Sequence, residues 1–130
     1  MIVVDASVLA TALSDDGADG YRVRERLRGE DLIAPELVDL EVLSVLRGLV
    51  LSGDLDHRRA DQARSDLVDL PLERVSHARL LPRCWELKNN LTVYDASYVA
   101  LAEALPMPLL TADARLAGAP GPRCRIELIS

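Results

Sequence analysis

The chain has 130 residues, of which 49% are hydrophobic and 28% charged, so it is expected to form one globular domain over residues 1–130 rather than a disordered or fibrous chain. Its formal net charge of −6 argues against recognition of nucleic acid by bulk attraction. Fourteen of its fifteen basic residues are Arg, a bias that either serves phosphate recognition or reflects a GC-rich genome. No apolar run reaches the ~18 residues of a membrane span, and the start MIVVDAS lacks a basic signal region. The two cysteines, Cys84 and Cys124, match no zinc spacing. A soluble cytoplasmic domain is therefore expected.

Short apolar runs alternate with helical periods along the chain, and this alternation predicts βα units and a mostly parallel sheet. In chain order the predicted elements are the strand Ile2–Val4, helices Asp5–Leu13 and Tyr21–Arg28, strand Leu32–Ala34, helices Pro35–Leu51 and Asp56–Leu70, strand Leu72–Val75, helices Ala78–Asn89 and Tyr94–Ala104, strand Leu109–Leu110, helix Ala112–Ala117 and strand Ile126–Ile129. Right-handed crossovers place these helices on both faces of the sheet. The expected fold class is therefore α/β, with three α/β/α layers and about five strands.

Two acids stand just after predicted strands, where parallel α/β sheets bind their ligands. Asp5 directly follows the strand at residues 2–4, and Asp113 follows the strand at residues 109–110. Each also has a structural interpretation as a helix N-cap, because Asp accepts hydrogen bonds from the first-turn N–H groups. Thr111 competes with Asp113 for the capping role. Ser7 is either a hydroxyl that supports a site at Asp5 or an ordinary first-turn residue.

Two further acids lie within or at the head of apolar helices. Glu41 has apolar neighbours one helical turn away on both sides, and a buried carboxylate must be paired, protonated or bound to a cation. The alternative for Glu41 is a buried salt bridge to an Arg such as Arg47 or Arg115. Asp95 lies at the head of the helix at residues 94–104, where a capping role is again the alternative.

Convergence of these four acids would be strongly repulsive without a cation. One pair of unit charges 4 Å apart costs about 4 kcal/mol at an effective dielectric of 20. A donor set of oxygens without His or Cys favours Mg²⁺ or Mn²⁺ over zinc. His57 and His77 lie in polar segments and are expected to be solvated.

The segments MIVVDASVL, PELVDLEVLSVLR, YDASYVALA and LLTADARLA, taken in this order, resemble the PIN domain in the form found in VapC-type toxins of bacterial toxin–antitoxin modules. The resemblance covers nearly the whole chain. It implies a Mg²⁺- or Mn²⁺-dependent endoribonuclease that cleaves transfer RNA or ribosomal RNA and leaves a 5′-phosphate and a 3′-hydroxyl. The catalytic and metal-binding acids that it implies are Asp5, Glu41, Asp95 and Asp113, with Ser7 and Thr111 as supporting hydroxyls.

The same resemblance implies a homodimer and a cognate VapB-like antitoxin whose tail lies across the active-site cleft. Arg115 stands where some relatives place a further acid, so a second metal site is expected to be weak. The helix at residues 35–51 is apolar nearly all round, which suggests a subunit or partner contact, or alternatively a central buried helix. Tyr94 and Tyr98, on either side of Asp95, are interpreted as packing residues.

Two other functions stay open from the sequence. One is a housekeeping PIN nuclease of RNA maturation, and the other is a non-catalytic interaction module that keeps the fold. A receiver domain is disfavoured because Asp5 has no acidic neighbour and Lys88, the sole Lys, lies in mid-chain. A haloacid-dehalogenase-like phosphatase is disfavoured because Ser7 stands where a second Asp is needed.

Overall fold

The computed structural model describes residues 1–129, which form five strands and seven α-helices. In chain order these are β1 (Ile2–Val4), α1 (Ala6–Ser14), α2 (Ala18–Leu27), β2 (Leu32–Pro35), α3 (Val38–Ser52), α4 (His57–Asp69), β3 (Leu72–Val75), α5 (Leu81–Glu86), α6 (Val93–Ala104), β4 (Leu109–Thr111), α7 (Ala114–Gly118) and β5 (Ile126–Leu128). A short 3₁₀ turn at Ala78–Leu80 precedes α5.

The five strands form one parallel sheet in the order β3-β2-β1-β4-β5. All residues of β1, β2 and β4 are buried, as expected of strands covered by helices on both faces. Helix α1 packs against α2, α3 and α4, whereas α6 packs against α5 and against β1, β2 and β4. The α/β prediction with three layers and about five strands is therefore confirmed.

Two predicted helix boundaries are wrong for reasons that involve proline. Pro35 does not open the long helix, because it is the last residue of β2 and α3 begins at Val38. The single helix predicted at residues 78–89 is a 3₁₀ turn followed by α5, with Pro82 in the first turn of α5. A proline lacks the N–H that a continuous helix needs, so the α-helix starts beside it rather than running through it.

Helix α3 ends where the sequence predicts, at a glycine. Gly53 has a φ of 84°, and its N–H bonds to carbonyl oxygens of the last helical turn. Glycine adopts this left-handed conformation without the steric cost of a Cβ atom. The predicted stop beyond residue 51 is therefore correct.

The strand order leaves a crevice at the carboxyl ends of β1 and β4. The chain moves from β1 to β2 and β3 on one side, and then crosses to β4 and β5 on the other. Helices that follow neighbouring strands in opposite directions leave an opening where the order reverses. The Asp5 N–H donates to the Leu110 carbonyl at 3.2 Å, which fixes the two strand ends side by side.

The hydrophobic core is almost wholly aliphatic and centres on β1, β4, α1 and α6. Tyr98 of α6 is its one large aromatic member among the described residues and is 1% exposed. Within residues 1–129, every helix is too short or too polar to cross a bilayer.

Candidate active site

The crevice at the ends of β1 and β4 is a cavity of about 530 Å³ that brings the predicted acids together. Its lining includes all four carboxylates and the Ser7 hydroxyl, while Thr111 lies buried directly behind Asp5. Asp5 directly follows β1, Glu41 lies in α3, Asp95 in α6 and Asp113 in the turn after β4.

Asp5 is a helix cap, as its structural interpretation predicts, and it also lines this cavity. It is the N-cap of α1, and its Oδ1 accepts from the Val8 N–H at 3.2 Å. The same oxygen accepts from the Ser7 hydroxyl at 2.6 Å, and Oδ2 accepts from the Thr111 hydroxyl. Burial, with only 4% of the residue exposed, raises the pKa of Asp5; these donors lower it in part, and the Asp95 carboxylate raises it further.

The two hydroxyls join the β1 end to the β4 end of the site. Ser7 Oγ accepts from the Ala112 N–H at 3.1 Å while it donates to Asp5. Thr111 Oγ1 accepts from the Asp113 N–H at 3.0 Å while it donates to Asp5. Each hydroxyl therefore donates to the Asp5 carboxylate and accepts from a backbone N–H of the turn after β4. The two hydroxyls together fix the position of the Asp5 side chain.

Glu41 is held by a tyrosine and not by an arginine. It lies in the first turn of α3, and its Oε1 accepts from the Tyr98 hydroxyl at 2.5 Å. Among residues 1–129 it forms no ion pair, so the salt-bridge alternative for Glu41 is wrong. Burial raises the pKa of Glu41, the Tyr98 hydroxyl lowers it in part, and the charges of Asp95 and Asp5 raise it further.

Tyr98 is a site residue that sequence reasoning missed, since it was interpreted as packing alone. It lies three residues after Asp95 on α6 and lines the same cavity. Residues three apart share one face of a helix, so a polar-tipped side chain at this spacing from a site acid was the available signal.

Asp95 does not cap its helix. Thr92 is the N-cap of α6, and its hydroxyl oxygen accepts from the Asp95 N–H at 3.1 Å. The capping alternative for Asp95 is therefore wrong. Burial raises the pKa of Asp95, and the neighbouring Asp113 carboxylate raises it further.

Asp113 is the N-cap of α7 and is partly neutralised by an arginine. Its Oδ1 accepts from the Arg115 N–H at 2.9 Å, and its Oδ2 lies 3.2 Å from Nη2 of the same residue. Burial raises the pKa of Asp113, but the bonds from Arg115 outweigh burial, so its net pKa is lowered. Asp113 is thus the member of the cluster that stays ionised most readily.

The arrangement suits a hydrated hard cation. Three of the four acids have raised pKa values, because burial and neighbouring negative charges disfavour their ionised forms. A bound cation would stabilise those ionised forms. No three His, Cys, Asp or Glu side chains in the described part of the chain form a ready metal cage. Mg²⁺ does not require one, because it keeps several waters and takes one or two carboxylates together with substrate phosphates.

Comparisons with known proteins agree with this fold. A family model described as "PIN domain" matches residues 2–121. Ribonuclease VapC1 of Mycobacterium tuberculosis is 44% identical over 128 residues, which cover 98% of this chain and 96% of the relative.

Solved structures of low sequence identity share the fold. That of M. tuberculosis VapC20, described as a sarcin–ricin loop cleaving toxin, has a TM-score of 0.71 at 18% identity and covers 92% of this chain and 96% of its own. That of VapBC2 from Rickettsia felis, bound to a DNA fragment from its promoter, has a TM-score of 0.68 at 16% identity and covers 98% of each chain. This chain therefore belongs to the PIN-domain family, in the group of the VapC ribonucleases.

Proposed function

We propose that this protein is a Mg²⁺- or Mn²⁺-dependent endoribonuclease and the toxin of a toxin–antitoxin pair. The observation that carries the proposal is the cavity where four carboxylates from separate elements meet, three of them with raised pKa values. Relatives named ribonuclease VapC support RNA as the substrate. Similar folds in a toxin–antitoxin complex from Klebsiella pneumoniae and in VapBC2 support an antitoxin partner.

Each side chain in the cavity has a separate task. Asp5 and Asp95 would bind a cation directly, Glu41 would hold it or one of its waters, and Asp113 would serve a water-bridging or second position. A cation held there would supply a water of lowered pKa and would neutralise charge that develops on the attacked phosphodiester. Asp5 keeps its orientation through the hydroxyls of Ser7 and Thr111, so the site is set before RNA arrives.

The substrate class follows from the acids and from the family. The chain carries a net charge of −6, so an RNA backbone approaches the cavity favourably only when its carboxylates are neutralised by metal. We expect transfer RNA or ribosomal RNA to be cleaved to 5′-phosphate and 3′-hydroxyl ends. A ribonuclease acts where RNA is present, so we place its action in the cytoplasm.

Two protein partners complete the proposal. A VapB-like antitoxin would cover the carboxylate cavity and block RNA entry. A second copy of the chain would cover the exposed apolar side chains of α3 that line the cavity, Leu40 and Val45; Leu40 is 72% exposed. Large apolar side chains grouped on one surface are typical of a protein interface.

The nuclease is tested with purified wild-type protein, Asp5→Asn and the surface control Asp69→Asn. Each is incubated with total bacterial RNA in Mg²⁺, Mn²⁺ or EDTA. Wild type and Asp69→Asn are expected to cleave in either metal and to stop in EDTA, with 5′-phosphate ends on the products. Asp5→Asn is expected to fold but not to cleave, because the amide keeps the size of the side chain and one acceptor oxygen but removes the charge. Cleavage by Asp5→Asn at the wild-type rate would end the metal-nuclease proposal.

The toxin role is tested separately by expression in bacteria. Wild-type expression is expected to arrest growth, Asp5→Asn to be harmless, and coexpression of a cognate antitoxin to restore growth. Harmless expression of a wild-type protein that cleaves RNA in vitro would instead favour a housekeeping nuclease. A protein that neither cleaves nor arrests growth would favour a non-catalytic module.

A further inference from the structure

A second, polar cavity adjoins the carboxylate cavity across Asp95. It has a volume of about 390 Å³, and Asp95 lines both cavities. Its walls come from the turn between α5 and α6, from the start of α6 and from α7. The polar and charged side chains in this lining, besides Asp95, are those of Lys88, Asn89, Asn90, Thr92 and Arg115.

The two cations of this cavity, Lys88 and Arg115, stand beside the carboxylate cavity and share with it the residue Asp95. Among the described residues, no basic side chain lines the carboxylate cavity itself. Elsewhere many guanidinium groups are held by acids at short range, as Arg74 is by Asp39 at 2.8 Å and Arg83 by Glu103 at 2.8 Å. Such groups are already neutralised and have little to offer to a phosphate.

Lys88 has no acidic partner within residues 1–129. Its Nζ lies 3.3 Å from the Trp85 carbonyl oxygen and 4.7 Å from the centroid of the Trp85 ring. These contacts position the ammonium by hydrogen bonding and by a cation–π interaction, but they leave its charge in place. The sole lysine of the chain is therefore a fixed positive point at the edge of the polar cavity.

Arg115 is paired with Asp113, but only weakly. The two side chains approach to 3.2 Å, and that of Arg115 is 86% exposed. Ion pairs at such exposure contribute little to stability because water screens them. The guanidinium can therefore turn to a phosphate at small cost, and in doing so it frees Asp113 for the cation site.

We propose that Lys88 and Arg115 bind a backbone phosphate of the RNA next to the one that is cleaved, on the Asp95 side. The inference rests on the proposed ribonuclease function and adds a substrate-binding site to it. A Lys ammonium binds phosphate as a point charge, whereas the planar guanidinium of Arg can donate two parallel hydrogen bonds to it. Asn89 and Asn90 add amide side chains to the same lining. Contacts to phosphate fix register without reading bases, so this site sets how RNA enters and not which sequence is cut.

The site is tested by the salt dependence of RNA binding in the Asp5→Asn background, with Mg²⁺ present and cleavage prevented. The probe is a fluorescein-labelled single-stranded oligouridylate, and the dissociation constant is measured by anisotropy across a NaCl series. The test variant is Lys88→Gln/Arg115→Gln. Each lost phosphate contact on a single strand lowers the slope of log affinity against log salt by about 0.7, and loss of this one contact is expected to lower the slope by that amount.

A matched control removes two positive charges at the amino ends of the strands, away from the carboxylate cavity. Arg123 and Arg125 line a separate cavity beside Pro108, before the starts of β4 and β5. Arg123→Gln/Arg125→Gln is expected to keep the wild-type salt slope. Equal losses in the two double variants, or an unchanged slope for Lys88→Gln/Arg115→Gln, would overturn the proposed phosphate site.

A kinetic measurement separates this inference from the function on which it rests. In the active protein, Lys88→Gln, which removes no contact to any of the four acids, is expected to raise KM by on the order of tenfold while kcat stays within about twofold. Wild-type cleavage with unchanged KM in the variant would refute the phosphate site alone. Absence of metal-dependent cleavage by wild type would refute the ribonuclease and the phosphate site together.

Discussion

Replacement of Tyr98 by Phe isolates the bond that positions Glu41. Tyr98 is buried in the core, and its hydroxyl donates to Glu41 Oε1 at 2.5 Å, which joins α6 to α3 beneath the cavity. Phe fills the same space and removes only the donor. The substitution therefore changes one hydrogen bond to a carboxylate and leaves the packing of the core intact.

The magnitude follows from the type of bond. A hydrogen bond to a charged group contributes about 1.5–3 kcal/mol, and partial exposure of Glu41 to water reduces this to about 1–2 kcal/mol. For a chain of this length the melting temperature is then expected to fall by about 4–7 °C. The same loss of positioning in the transition state would lower kcat by on the order of tenfold.

The assay compares Tyr98→Phe with Tyr94→Phe, a tyrosine of the same cavity that is 61% exposed. The Tyr94 hydroxyl makes no hydrogen bond within residues 1–129, so its loss is expected to change neither melting temperature nor kcat. Melting is followed by circular dichroism and cleavage by initial rates. Wild-type melting and wild-type kcat for Tyr98→Phe would refute the reasoning that this bond orients Glu41.

Three further predictions concern acid, hydroxyl and apolar groups. Burial raises the folded-state pKa values of Asp5, Glu41 and Asp95, so protonation of these acids stabilises the native state. In EDTA, the melting temperature is therefore expected to rise as the pH falls from neutrality toward the ordinary carboxyl pKa values of 3.8 and 4.5. A fall in melting temperature over this pH range would contradict the prediction. Ser7→Ala breaks the 2.6 Å bond to Asp5 and the link to Ala112, and is expected to cost about 1–2 kcal/mol in urea unfolding, whereas no loss would contradict its structural role. Leu40→Asp places a charge on the exposed face of α3 and is expected to yield monomers by sedimentation, while Val68→Asp on the exposed side of α4 does not; unchanged dimers for Leu40→Asp would refute this interface.

The acids and the sheet were predictable because their signals are local. A buried strand followed at once by Asp5, and a strand, Thr111 and a short helix around Asp113, mark the two strand ends that lie side by side. The apolar surroundings of Glu41 marked it as a carboxylate that needs a partner. Parallel topology then brings these positions to one edge without any further information.

The partners of those acids were not predictable, because they depend on how distant elements pack. Glu41 and Tyr98 are 57 positions apart, and their contact depends on how α6 lies relative to α3. Periodicity reports which face of a helix is apolar but not which atom of another helix it meets. The choice between capping and site roles was equally open, since Thr92 rather than Asp95 caps α6.

The central claim is that the carboxylate cavity is a functional cation site, and thermal melting tests it most directly. Wild type, Asp95→Asn and the surface control Asp69→Asn are melted in EDTA, Mg²⁺ or Mn²⁺. At a metal concentration about 100 times the dissociation constant, binding stabilises the native state by about 2.7 kcal/mol, or about 10 °C for this chain length. We predict this rise for wild type and Asp69→Asn, and its loss in Asp95→Asn. Melting temperatures that respond to neither metal in any of the three proteins would contradict the account.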